Sequence, residues 1–184
     1  MPCFDVVGVG VAACDYLVRI PRFPAPDEKV RAPDLTVSGG GTTGTALVTV
    51  ARLGLRAAFV GTVGNDPFGR VIIEGLEREH VDTTLVRVAP GARSPFAFCV
   101  SAPPGRNVFS VRASTPPLRL SAADIDKVLD TRALHLDASA EALAVELAGE
   151  ARRRGVDVSI DLQSRDERSE ELLALADVAV VAEP

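Results

Sequence analysis

Tryptophan is absent from the 184 residues, tyrosine occurs once, and aromatic residues make up only 4%. Proteins that hold single-stranded nucleic acid stack its bases on aromatic rings, and this chain has few to offer. It has no surplus of positive charge either: 20 basic residues against 25 acidic ones leave a formal charge of −5. Without a basic stripe to meet a phosphate backbone, no nucleic-acid partner is expected. Apolar runs stay far below the ~18 residues of a membrane span, and no basic-then-apolar leader opens the chain. The expectation is a soluble, cytoplasmic protein with no membrane partner. The three cysteines, Cys3, Cys14 and Cys99, are odd in number and lack a C-x-x-C pair, as suits reduced thiols in a cytosol. Two histidines and three widely spaced cysteines form no zinc set. There is no internal repeat and no low-complexity segment.

What is present is a core. Hydrophobic residues make up 47% of the chain and mean hydropathy is +0.19, too apolar for a solvated tail. The length is that of one domain, which buries roughly 70% of its unfolded surface and needs no disulfide or metal staple. Phe4 to Val11 is nearly continuous apolar sequence, the pattern of a strand buried on both faces. Further strands are expected at Tyr16–Ile20, Lys29–Val37, Ala57–Val60, Thr84–Val88, Ala133–Leu136, Val156–Leu162 and Val178–Val181. Ser94–Ser101 and Asn107–Arg112 flank a Pro-Pro-Gly turn and read as a hairpin. Helices are expected at Thr45–Leu53, after the Asp66-Pro67 cap, after Ser121 in a capping box closed by Asp124, at Ala140–Arg154 and at Arg168–Leu175. Strand–helix alternation implies a parallel sheet covered by helices. The two runs of paired strands, near 15–37 and 94–112, can combine into one small sheet beside it.

Gly8-Val-Gly10-Val-Ala-Ala13 matches the G-x-G-x-x-A dinucleotide fingerprint. That fingerprint works only when a helix starts at once, and here the chain continues extended toward Pro21, so tight turning at a strand end is the better reading. Gly39-Gly-Gly41-Thr-Thr-Gly-Thr45 is the most informative stretch. Glycines let a backbone approach a ligand, and the helix that follows offers free N–H groups; an ordinary loop with a threonine cap is the competing reading. Asp15 stands just past the first strand, where open parallel sheets place ligands, and its carboxylate can accept from two polyol hydroxyls or simply cap a turn. Asp137 and Asp161 stand at similar strand ends. Asp66 is a helix cap. Arg152-Arg-Arg154 and His80 complement helix C-termini. His135, inside a strand, reads as a satisfied core histidine.

The whole order of features resembles the PfkB, or ribokinase-like, carbohydrate kinases. The resemblance is carried by Gly8 through Asp15, by Pro24-Ala-Pro-Asp-Glu28 and by Gly40-Gly41 running to Ala51-Arg-Leu-Gly54. It continues through Val60-Gly-Thr-Val-Gly64-Asn-Asp66-Pro-Phe-Gly69, Gly105-Arg106, Leu134-His-Leu-Asp137 and Ala176 to Glu183. It implies a three-layer α/β/α sheet with a small β-sheet lid from about 14–38 and 94–112, within one domain over 1–184. It implies ATP-dependent transfer of a phosphoryl group to a hydroxyl of a sugar, nucleoside or similar polyol, with ATP and Mg2+ as cofactors. It places Asp15, Gly40, Gly41, Thr45 and Asp137 at the sugar.

Departures from the family pattern set further expectations. Thr45 stands where the glycine-rich signature has asparagine, and a hydroxyl cannot make both contacts of an amide, so an altered acceptor preference is expected. Thr43 and Leu47 stand where smaller residues are usual. Ala182 takes the asparagine place of the magnesium motif. The G-A-G-D segment, which in the family carries the catalytic aspartate and the anion hole, is not in the sequence. The 184 residues alone are therefore expected to hold the sugar side and to lack kinase activity, with no catalytic or metal-binding residue of their own. Apolar positions in the lid predict a homodimer through it. A non-catalytic polyol binder is the alternative, and a Rossmann-type dehydrogenase a weaker one that would need a helix right after Ala13.

Overall fold

Local sequence sets the elements in turn. β1 (Phe4–Val9), β2 (Ala13–Arg19) and β3 (Leu35–Gly40) lead into α1 (Thr42–Arg52), and β4 (Ala57–Val60) and β5 (Thr62–Gly64) into α2 (Pro67–Arg78). β6 (Val81–Asp82), β7 (Arg87–Ala89), β8 (Phe96–Ala102) and β9 (Gly105–Val111) precede α3 (Ala122–Val128). The chain then runs through β10 (Thr131–Asp137), α4 (Glu141–Arg154), β11 (Asp157–Leu162), α5 (Glu167–Leu175) and β12 (Val178–Val181). The structure, a computed structural model, describes residues 2–137, 139, 141–163 and 167–181.

Six strands form one parallel sheet in the order β12-β11-β10-β1-β4-β6. Alternate residues of each strand feed opposite faces. Val7, Val9, Ala58, Val60, Leu134, Leu136, Val158 and Ile160 pack with residues of α3, α4 and α5, including Leu147 and Leu172. Phe59 and Ala57 turn the other way, onto Leu47 of α1 and Ile72 and Leu76 of α2. The result is the expected three-layer α/β/α sandwich. No helix among the described residues is long and apolar enough to cross a membrane.

A second sheet, in the order β3-β2-β8-β9, forms the lid. β2 pairs antiparallel with β3 and parallel with β8, and β8 and β9 make the hairpin. Four of the chain's few aromatics pin it to the body. Phe68 of α2 stacks on Phe96 with ring centroids 4.4 Å apart and meets Tyr16 edge-on at 6.1 Å, and Phe98 lies 5.3 Å from Tyr16. Such pairs contribute about 0.5–1.5 kcal/mol each beyond their buried area.

Three expectations are corrected. The strand expected at Thr84–Val88 begins only at Arg87, as β7, because the Asp82 carboxylate at the end of β6 accepts from the Thr84 N–H (2.9 Å) and hydroxyl (2.6 Å) and turns the chain. The strand expected from Lys29 starts only at Leu35, and it continues through Gly39 and Gly40, so two glycines expected in a loop belong to the lid sheet. α1 accordingly starts at Thr42 rather than Thr45.

The α2 cap is as expected, with Pro67 in the first turn and the Asp66 carboxylate accepting from the Gly69 N–H at 2.7 Å. It also accepts from the Ser94 N–H (2.8 Å) and hydroxyl (2.7 Å), tying α2 to the start of the β8–β9 hairpin. Burial pushes this carboxyl up, but the hydrogen bonds from Gly69 and Ser94 outweigh it and leave the pKa below the ordinary value. A depressed carboxyl stabilises the fold above its unfolded pKa and loses that contribution as pH falls through the folded one. Asp66→Ala is expected to cost about 2 kcal/mol at neutral pH in urea unfolding, and the gap to the native protein should close as the medium is acidified through the carboxylate range.

Candidate functional site

The cleft opens between the lid and the C-terminal ends of the parallel strands, the position where open α/β sheets hold ligands. Gly10–Ala13, Asp15, Gly39–Gly41, Thr42 and Thr45 line it, with Ala97, Cys99, Arg106, Ser139 and Asp161. Four of the five residues expected at the sugar, Asp15, Gly40, Gly41 and Thr45, share this wall.

Asp15 is not the residue that caps the first turn. It sits within β2, paired with Ser38 on one side and Ala97 on the other. It is half-buried, and its carboxylate accepts no hydrogen bond from any described residue. Burial raises its pKa and the Arg106 charge pulls it partly back. Its place over β3 depends on Gly40, where a Cβ would come within 2.1 Å of the Asp15 Oδ2. Gly41 caps α1 at φ 85° with no side-chain cap, and a Cβ there would meet the Val11 carbonyl at 2.6 Å. Thr45 is exposed on the first turn of α1 and faces the cleft.

Asp137 is engaged by the protein itself. It is 4% exposed at the end of β10 and its oxygens are already engaged. Oδ2 accepts from the Val11 N–H (2.8 Å) and the hydroxyls of Thr42 (2.6 Å) and Thr43 (2.7 Å); Oδ1 accepts from the Ser139 N–H (2.9 Å) and its hydroxyl. Burial pushes the carboxyl up, and the hydrogen bonds from Ser139, Thr42, Val11 and Thr43 together hold it below the ordinary value. The glycines of the fingerprint-like stretch answer to this packing. A Cβ at Gly8 would lie 2.7 Å from Leu47 and Thr43, and one at Gly10 would lie 2.3 Å from the Asp137 Oδ2. A strand, not a helix, follows Ala13, so the dinucleotide requirement is unmet.

Thr42 and Arg106 on the cleft wall, and Thr43 buried behind it, have parts that the sequence reading did not foresee. The only signal was the Thr-Thr pair itself, hydroxyls at the start of a helix facing a distant strand-end aspartate. Asp161 lines the cleft on β11 beside Asp137. His135 is only half satisfied: Nδ1 lies 2.7 Å from the Ser159 hydroxyl, but Nε2 is buried without a partner. Burial pushes its pKa down, against the pull of Asp137 and Asp161. Arg153 and Arg154 pair with Glu150, and Arg154 also with Asp126, so this cluster is structural. Ala182 and Glu183 lie outside the described residues. Among those described, no group of three His, Cys, Asp or Glu side chains could hold a metal ion.

Removing the Asp137 carboxylate would leave the buried Thr43 hydroxyl and the part-buried donors of Val11, Thr42 and Ser139 without their acceptor, and a stranded buried donor costs about 1–3 kcal/mol. Asp137→Ala is expected to lower unfolding free energy by at least about 3 kcal/mol, with accelerated amide exchange in the first turn of α1. A change below about 1 kcal/mol would show that the five donors find other partners.

The pfkB family carbohydrate kinase profile matches residues 5–184. The chain is 26% identical over 175 residues to a ribokinase of Haemophilus influenzae, a match that takes in 92% of this chain and 57% of that protein. It is similar to a ribokinase-like structure from Agrobacterium tumefaciens, with a TM-score of 0.88 at 27% identity over 97% of this chain and 59% of the other. It also shares its fold with the Arabidopsis thaliana ribokinase solved with ribose and ATP, with a TM-score of 0.82 at 24% identity over 97% and 60% of the two chains. Other relatives are fructokinases, nucleoside kinases and 5-dehydro-2-deoxygluconokinases. The chain spans about half the length of the curated relatives it matches. Sheet order, lid and family profile agree: this chain belongs to the pfkB family of carbohydrate kinases.

Proposed function

We propose that the cleft is the acceptor side of an ATP-dependent kinase that phosphorylates a hydroxyl of a sugar or related polyol. The observation that carries this reading is Asp15, a half-buried carboxylate on the lid that faces the cleft and accepts no hydrogen bond from any described residue. A group in that state gains more than an exposed one when ligand hydroxyls reach it. Gly40 and Gly41 let the backbone close in beside it, and Thr45 offers the cleft a single hydroxyl. Asp137 acts as a positioning residue that fixes α1 and the Gly10–Val11 turn beneath the ligand. The lid, hinged on Phe68, would exclude water when it closes.

In this reading ATP supplies the phosphoryl group. Mg2+ would supply charge neutralisation at the phosphates when bound, and no step is assigned to it. None of Asp15, Asp66, Asp137 or Asp161 is assigned as the base, and the 184 residues by themselves are expected to bind polyol without turnover. A coupled ADP assay on this polypeptide checks that, and sugar-dependent turnover abolished by Asp15→Ala would overturn it.

We further propose a homodimer through the lid. Val37, Tyr16, Phe98 and Phe109 follow one another in a single row across its four strands, and Val37, Phe98 and Phe109 are 45%, 44% and 58% exposed. Exposed apolar rows of this kind mark interfaces. Sedimentation at tens of micromolar, a rough concentration suited to micromolar association, should show dimer in the native chain and monomer in Phe109→Asp.

The Asp15 assignment predicts opposite effects on binding and stability. A raised carboxyl pKa means that the folded state holds its proton more tightly than the unfolded chain, so stability falls as pH rises through the folded value. Asp15→Asn should therefore raise the melting temperature at neutral pH, with the gain vanishing in acid, while weakening polyol binding roughly 10- to 100-fold. Calorimetry that finds unchanged affinity in the variant would overturn the assignment.

A further inference from the structure

The cleft is electrically divided. Apart from Asp15 on the lid, its acidic residues Glu146 and Asp161 come from α4 and β11, whereas Arg106, Arg112 and Arg119 come from β9 and the segment after it. Strand register sets Arg106, Val108 and Ser110 on the side of the lid that carries Asp15, Ala97 and Cys99. Arg106, Arg112 and Arg119 form no ion pair among the described residues. Arg106 is close enough for its charge to act on both Asp15 and Cys99, yet it hydrogen-bonds neither. A cation and an anion thus line the same face of the lid without pairing, and both border the cleft.

Arginine by itself says little in a chain where 18 of 20 basic residues are arginine; its position says more. We propose that the acceptor is an anionic polyol, a sugar acid, whose hydroxyls meet Asp15 while its carboxylate meets the guanidinium of Arg106. The inference rests on the reading of this cleft as the acceptor site. A neutral sugar satisfies Asp15 and leaves Arg106 unused. A carboxylate takes the planar fork in two parallel hydrogen bonds. A phosphate of the donor has the same chemistry, but Arg106 belongs to the lid face that carries Asp15, which favours the acceptor over a separate donor end.

The test is calorimetry on the 184-residue chain at low salt with D-gluconate, D-sorbitol and pyrophosphate, in the native protein, Arg106→Gln and Asp15→Asn. Arg106 is exposed on the lid, so its replacement should leave the fold intact. Gluconate is expected to bind about tenfold or more tightly than sorbitol. That margin should shrink with added salt and vanish in Arg106→Gln, where sorbitol affinity stays the same. If gluconate and sorbitol bind alike in the native chain, or the margin survives in Arg106→Gln, while both still need Asp15, the sugar-acid inference is overturned and the acceptor reading stands. An Arg106-dependent margin for pyrophosphate and none for gluconate overturns it in favour of donor phosphate. If neither polyol binds, or binding ignores Asp15→Asn, the acceptor reading itself fails and the inference with it.

Discussion

Five donors converge on the Asp137 carboxylate, and the geometry of the cleft follows from them. A buried charge is costly unless its lone pairs are occupied. Here they are occupied by the Gly10–Val11 turn, by the first turn of α1 and by Ser139. One side chain therefore sets three separate pieces of chain relative to the end of β10. The same convergence dictates the glycines: Gly10 cannot carry a Cβ beside Oδ2, and Gly8 cannot carry one beneath Thr43 and Leu47. What resembles a nucleotide fingerprint along the chain is thus the imprint of a helix drawn tightly onto a sheet.

The lid depends on a different and softer contact. Beyond the Asp66–Ser94 hydrogen bonds at the start of the β8–β9 hairpin, its attachment to the body is aromatic, through Phe68, Phe96 and Tyr16, with no ion pair among the described residues joining it to α2. Ring contacts tolerate sliding better than the directional bonds around Asp137 do. In the proposed reading the floor of the cleft is the fixed part and the lid the part that would close. Asp15 rides on the lid, while Thr42 and Thr43 belong to the fixed part. A ligand that touches Asp15 and Thr45 together spans the two.

How much of this is legible in the sequence varies with how local the cause is. β1, β4, β12, the Asp66 cap and the Ser121–Asp124 capping box are set by neighbours within a few residues, and reading them needs only periodicity and capping chemistry. The β8–β9 hairpin is equally local. The parallel pairing of β2 with β8 is not, because nothing near Asp15 announces Ala97 as its neighbour. Gly39 and Gly40 read as loop because glycine is a poor strand former on its own; their pairing with Cys14 and Ala13 overrides that preference. Asp137 reads as a ligand group because strand-end aspartates often are. That Thr42 and Thr43, 95 and 94 residues away, would occupy it is a fact of packing alone.

Asp15 and Asp137 show how one residue type serves opposite ends. Both are carboxylates withdrawn from water, and burial acts on both in the same direction. At Asp137 the protein supplies the donors, the pKa falls below its ordinary value, and the charge becomes part of the fold. At Asp15 the protein withholds them, the pKa rises, and the fold is less stable than it would be with a neutral side chain there. In the proposed reading that deficit is available to a ligand: hydroxyls that reached Asp15 would recover solvation which folding removed, linking binding to stability through this one group. Placing the unsatisfied carboxylate on the lid rather than on the floor makes the recovered energy depend on where the lid stands. On that reading a ligand seated on the floor would draw the lid toward it, and the bonds that Asp137 gives the floor would turn that attraction into closure rather than distortion.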